Sequence, residues 1–165
     1  MVNLQKKQKP MIQRIQTLFM FLTLVLLSIL IYNPIATYFI EPNMDKIVLN
    51  VFGVQNSSDL SVELLQNYWF LFAFIILVML ITFVTIFLYK RRVLQIRLCI
   101  VTIVMLVGLQ GVMYYMVTAI GQNLHSKPHY NLVFIFPLIA AVLNFLAIRG
   151  IAKDEALIRS LDRLR

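Results

Sequence analysis

Residues 68–92 read YWFLFAFIILVMLITFVTIFLYKRR. The first 22 of these, Tyr68–Tyr89, include no Asp, Glu, Lys, Arg or His, and the run stops at three cations, Lys90, Arg91 and Arg92. At about 1.5 Å per helical residue such a run crosses the ~30 Å hydrocarbon core of a bilayer. Three further blocks share its composition: Leu18–Ile40, Leu98–Ile120 and Leu132–Ile148. The last has only 17 residues, so it must recruit Tyr130 and Asn131 or stand close to the bilayer normal. The first is interrupted by Asn33-Pro34. A proline removes a backbone donor and clashes with the preceding turn, so this helix is expected to begin near Met11 or Ile12 and to end or kink near Tyr32.

The length, 165 residues, is that of one domain, and a chain that is 61% hydrophobic lies outside the soluble range. The expected fold class is therefore an all-α integral membrane protein. It is an up-down bundle of four transmembrane helices, with spans at 12–32, 68–89, 98–120 and 131–148, because helices satisfy their own backbone groups in hydrocarbon. The basic segment before the first block resembles a signal peptide. The block is long, however, and no small-residue cleavage pattern follows it, so it is read as a retained span. Met11, immediately before Ile12-Gln13-Arg14-Ile15-Gln16, offers an alternative start to Met1.

Charge sets the expected orientation. One side collects thirteen Lys and Arg, including Arg14, Lys90, Arg91, Arg92, Arg97, Arg159, Arg163 and Arg165, against Asp154, Glu155 and Asp162, a net of +10. The other carries Lys46 and Lys127 against Glu41, Asp45, Asp59 and Glu63, a net of −2, which together make the formal +8. Lys and Arg near span ends stay on the cytoplasmic face, so both termini are expected inside the cell. The eight basic residues named are candidate contacts for anionic lipid or for a partner on that face. Tyr68, Trp69, Tyr89 and Tyr130 lie at span ends, where amphipathic rings anchor at the headgroup level.

Between the first two spans, the 33–67 connection is long enough for structure of its own. Ile47 to Val54 is β-branched and apolar, and Gln55 to Asp59 reads as a turn. One or two short strands are expected there, such as a β-hairpin, followed by a helical lead-in from Ser61, itself a candidate N-cap. After the last span, 149–165 reads as a charged amphipathic cytoplasmic helix that either continues from span four or bends away at Gly150. Ile151, Leu157, Ile158, Leu161 and Leu164 fall on one side, and Glu155 pairs with Arg159 at i,i+4. Its default place is on the anionic inner leaflet.

Inside the spans the polar residues are few. Gly108, Gln110 and Gly111 lie mid-way along span three. The spacing is not G-x-x-x-G, although small residues there would permit close helix approach. Gln110 needs a hydrogen-bonding partner, for which Asn144, Thr23 and Ser28 are the candidates. Gly108, Gln110, Gly111 and Asn144 are therefore read as helix-packing residues. A competing reading places Gln110, Asn144 and Thr118 along a polar path through a small transporter or channel, formed by the bundle or its oligomer. The spans contain no ionisable group to exchange charge, which argues against a coupled transporter.

Catalytic and metal chemistry find no foothold. His125 and His129 are four apart with Pro128 between them and no third ligand beside them. Cys99, the single cysteine, reads as a small packing residue. No nucleophile stands beside a base, and no glycine-rich phosphate loop occurs. No enzyme, cofactor, metal or specific nucleic-acid recognition is expected.

Two end motifs carry a resemblance: Met11-Ile12-Gln13-Arg14-Ile15-Gln16-Thr17-Leu18, which opens the first span, and the ending Leu146-Ala147-Ile148-Arg149-Gly150-Ile151 with Lys153 to Arg165. From Met11 onward the chain resembles a family of four-span inner-membrane proteins of Bacteroidetes classified only as a domain of unknown function. The resemblance implies a bacterial inner-membrane location and the topology above, and assigns no activity, ligand or site. The chain departs from it by ten residues before Met11. The expected role is a non-catalytic accessory subunit of a larger membrane assembly, such as protein export or insertion machinery, where the +10 face would lie near ribosomal RNA as well as anionic lipid.

Overall fold

The computed structural model describes residues 9–40, 45–56 and 64–162. Among the described residues there are four α-helices: α1 (Lys9–Tyr32), α2 (Trp69–Phe87), α3 (Arg92–Asn123) and α4 (Phe136–Asp162). Each is long and apolar enough to cross a membrane, which makes this a multi-pass membrane protein. Packing runs as a ring: α1 lies against α2 and α4, and α3 against α2 and α4. Single 3-10 turns link α2 to α3 (Leu88–Lys90) and lead into α4 (Leu132–Ile135).

The side chains buried along each helix follow one spacing. In α2 they are Leu71, Ile75, Val78, Thr82 and Thr85, and in α3 Gln95, Cys99, Thr102, Leu106, Leu109 and Met113. In α1 they are Gln16, Met20, Thr23, Leu27 and Leu30, and in α4 Ala140, Asn144, Ala147 and Ile151. Alternating steps of three and four average 3.5 residues, the repeat that keeps one seam facing its neighbours in a bundle. All sides of these helices are apolar, so the seam is marked by small and polar side chains rather than by hydrophobic contrast.

At the end of the bundle where α1 and α3 finish, a five-stranded antiparallel sheet forms a cap. Its strands are β1 (Ala36–Ile40), β2 (Asp45–Asn50), β3 (Gly53–Asn56), β4 (Leu64–Asn67) and β5 (His129–Tyr130), in the order β4-β3-β2-β1-β5. Between β1 and β2 the register pairs Ala36 with Leu49 and Tyr38 with Ile47. These four side chains share a continuous core with Leu27, Leu71 and Val117 of the helices. The β2–β3 hairpin turns at Val51-Phe52. It is closed by Asn50 Nδ2 donating to Gln55 Oε1 at 2.8 Å and by Gly53 at φ 151°, a conformation that side chains disfavour.

The sheet corrects the all-α expectation. The strands expected around Ile47–Val54 are present as β2 and β3, but the helical lead-in to span two is replaced at 64–67 by β4. The physical reason is non-local: β3 has open backbone groups along its outer edge, and 64–67 satisfies them by pairing Gly53 with Asn67 and Val54 with Gln66. Ser61, the expected N-cap, lies outside the described residues. The connection between α3 and α4 supplies β5 against β1, a pairing across more than 90 residues of chain.

At the opposite end, α4 runs without a break through Gly150 to Asp162. Gly150 is a contact rather than a hinge: a Cβ there would stand 3.1 Å from Gln16 Cγ of α1. The side chains of Arg14, Lys90, Arg159, Arg163 and Arg165, and the apolar side of the tail from Leu157 onward, lie outside the described residues. Of the other candidate basic contacts, Arg91 and Arg97 are exposed, whereas Arg92 is partly buried.

Candidate functional site

The bundle interior is divided along its length. Toward the sheet its seam is apolar, with Leu27, Leu30, Leu71, Ile75, Val78, Leu106, Leu109 and Met113, and the buried Oε1 of Gln110 beside it. Toward the basic end the same seam positions carry Gln16, Thr23, Thr82, Thr85, Gln95, Thr102 and Asn144, all buried. They surround a small cluster of Met20, Cys99, Ala147 and Ile151. The sequence places these residues at heptad positions of their helices, so folding brings every one of them inward together.

Hydrogen bonds define what this polar layer does. Asn144 Nδ2 donates to Thr23 Oγ1 at 3.0 Å and to Ala140 O at 2.9 Å. Thr23 in turn donates to Phe19 O at 3.1 Å. Gln95 Nε2 reaches Thr85 O at 3.3 Å and Met20 Sδ at 3.8 Å. Thr82, Thr85 and Thr102 return their hydroxyls to carbonyls four residues back, Val78, Ile81 and Leu98. Two side chains, Asn144 and Gln95, thus connect α4 to α1 and α3 to both α1 and α2. Interhelical hydrogen bonds of this kind contribute roughly 0.6–2 kcal/mol each.

Among the expected packing residues, only Asn144 meets another helix through a bond the structure shows. The partners foreseen for Gln110 are engaged elsewhere: Asn144 and Thr23 bond each other, and Ser28 donates to Leu24 O. Thr23 can accept from Asn144 because a hydroxyl oxygen that donates to Phe19 O keeps its lone pairs. Gln110 Oε1 is left buried with no hydrogen-bond partner. Gly108 and Gly111 admit no close helix approach within this chain. Both are exposed, and a Cβ on either would meet nothing within 4 Å. They lie instead in an open groove between the start of α2 and the second half of α3.

The residues of the transport reading do not line this groove. Asn144 is sealed in the α1–α4 contact, and Thr118 donates to Tyr114 O and Tyr115 O of its own helix. Among the described residues no three His, Cys, Asp or Glu side chains gather as a metal site would require. His129 packs edge-on against Phe39, with ring centroids 5.4 Å apart, and Cys99 is buried as a free thiol in the small cluster.

Sequence reasoning missed Gln16, Gln95, Thr82, Thr85 and Thr102. The available signal was their spacing: Gln95-Cys99-Thr102 and Thr82-Thr85 continue the heptad steps of the apolar residues beyond them.

A four-helix membrane bundle with a sheet cap and an interior built for packing defines the class. The family is shown by a match of residues 12–164 to the model described as domain of unknown function DUF4293, and the chain belongs to that family. No curated protein matches the chain.

Proposed function

We propose that the protein is a non-catalytic accessory subunit of a larger assembly in a bacterial inner membrane, with both termini in the cytoplasm. The observation that carries this reading is the polar layer. Asn144–Thr23 and Gln95–Thr85 direct the side-chain amides of this layer at a hydroxyl and a carbonyl of neighbouring helices, which favours a scaffold whose working parts are its surfaces. Orientation is supported by the +10 basic end, since Lys and Arg near span ends are retained inside. The same charge suits anionic lipid headgroups and a ribosome-bound export or insertion machine.

Purification from the native membrane in several mild detergents, followed by mass spectrometry, tests the role. Recovery with stoichiometric membrane-protein partners is expected, and recovery only as a free monomer in every detergent would remove the reading. Deleting residues 152–165 should leave the spans inserted, because Arg14 and Lys90 to Arg97 still set orientation, while association with the assembly is lost. Unchanged co-purification of the truncated chain would move the contact to the sheet end.

A further inference from the structure

The tip of the β2–β3 hairpin carries an aromatic ring where a turn in water carries a polar residue or glycine. Its two turn residues are Val51 and Phe52, between Asn50 and Gly53, which pair across the ladder. Two-residue turns ordinarily use Asn, Asp or Gly. Val51 is buried in the core, whereas Phe52 is 42% exposed. The turn is held against the start of α2. Tyr68 N donates to Phe52 O at 3.0 Å, and Gly53 pairs with Asn67. The Phe52 ring lies further along α2, against Phe72, with ring centroids 5.0 Å apart. Phe52 thus has its backbone level with Tyr68 and its side chain directed down the helix, toward the basic end.

The depth of that contact follows from the length of α2. Its 19 residues make about 28 Å of helix, no more than the ~30 Å hydrocarbon core. Lys90 and Arg91 follow at its far end. Both ends of α2 therefore stand at the hydrocarbon boundaries, and tilting would only draw them inward. Trp69 marks the boundary at the sheet end, in a girdle with the exposed rings of Tyr32 and Tyr130. Phe72 lies one turn, about 4.5 Å, inside it. We infer that the tip of the β2–β3 hairpin is inserted in the sheet-side leaflet, where the exposed part of the Phe52 ring meets acyl chains at the edge of the hydrocarbon. The cap is then an interfacial lipid-binding element rather than a domain standing clear of the membrane. The inference rests on the chain spanning a bilayer. It is independent of the accessory-subunit role and of which side is cytoplasmic.

The test puts a fluorophore at the tip of the full chain. Phe52→Trp is made in a Trp69→Phe background, since Trp69 is the single tryptophan, and reconstituted in phosphatidylcholine/phosphatidylglycerol vesicles. Part of the phosphatidylcholine is brominated, either near the carbonyl end or near the methyl end of its acyl chains. Emission should fall several-fold with the shallow bromines, less with the deep ones, and little with iodide present on both sides of the membrane. Lys46→Trp in the same background, at an exposed site at the other end of β2, gives the response of the cap away from the tip and should answer to iodide. Iodide quenching at position 52 as strong as at position 46 overturns the inference. Shielding from bromines and iodide alike, as a second copy of the chain over the tip would give, also overturns it. Should Phe52→Trp misfold, a nitroxide on Phe52→Cys in a Cys99→Ala background decides. Oxygen should relax it more than a water-soluble nickel chelate, and the opposite order overturns the inference.

Discussion

The side-chain amide of Asn144 donates to the hydroxyl oxygen of Thr23 at 3.0 Å, from a site on α4 that is 1% exposed to one on α1 that is fully buried. In hydrocarbon neither group has water to fall back on, so the pair specifies how α1 and α4 align. A leucine pair at the same seam positions would pack but would tolerate sliding.

Asn144→Ala should lower the unfolding free energy by about 1–2 kcal/mol, the lost bond plus a small void. A double-mutant cycle with Thr23→Val should return a coupling of roughly 0.6 kcal/mol or more. Reversible unfolding in mixed detergent micelles measures both. A coupling near zero would show that the bond has no share in stability.

The glycines should respond in opposite directions. Gly108→Ala and Gly111→Ala meet open space and should stabilise α3 by up to about 1 kcal/mol through helix propensity. Gly150→Leu must displace the buried side chain of Gln16 and should destabilise by about 1–3 kcal/mol through overpacking. The same unfolding assay ranks all three.

Tyr38 ties the cap to the bundle: its hydroxyl donates to Val117 O at 2.8 Å in a buried site. Tyr38→Phe should cost about 1 kcal/mol and leave a carbonyl less well satisfied. Faster hydrogen exchange over β1 and the end of α3, with α2 unchanged, is the expected signature.

The same phenol should also resist ionisation. Burial, and then the neighbouring phenols of Tyr130 and Tyr68, push the Tyr38 pKa well above its usual value near 10. Burial also raises Tyr68. A pKa raised on folding gives stability that is complete below the unfolded value and is lost as pH rises past it. Attachment of the sheet should therefore hold at neutral pH and weaken above about pH 10. Absorbance titration of wild type against Tyr38→Phe should show a phenolate step raised above the usual range in the wild type and missing from the variant.

Orientation is open to direct test. In a Cys99→Ala background, Asn50→Cys and His125→Cys should react with a membrane-impermeant maleimide added outside intact cells, and Arg91→Cys only after the inner membrane is opened. Labelling at positions 50 and 125 solely from the cytoplasmic side would reverse the proposed topology.

The candidate site was partly legible from the chain. Asn144 and Thr23 stood out as rare polar groups in apolar spans, yet nothing local says that they bond each other while Gln110 Oε1 is left without a partner. Gly108, Gly111 and Gly150 look alike in sequence. Two open onto the outer surface and one lies against Gln16, a distinction made entirely by where α1 and the start of α2 come to rest.

The sequence by itself determined the four spans. A hydrocarbon slab demands runs of about 20 apolar residues that satisfy their own backbone, and both requirements are local. It also marked Ile47–Val54 as strand, through β-branched residues ahead of a turn. Only the tertiary structure decided which side of each helix faces inward, because helices apolar all round give no hydropathic contrast to read, and the 3.5-residue seam emerges when four of them pack. Tertiary structure likewise made β4 and β5. Their residues carry weak local preference, and they become strands because β3 and β1 present backbone groups that only a distant segment of the chain could satisfy.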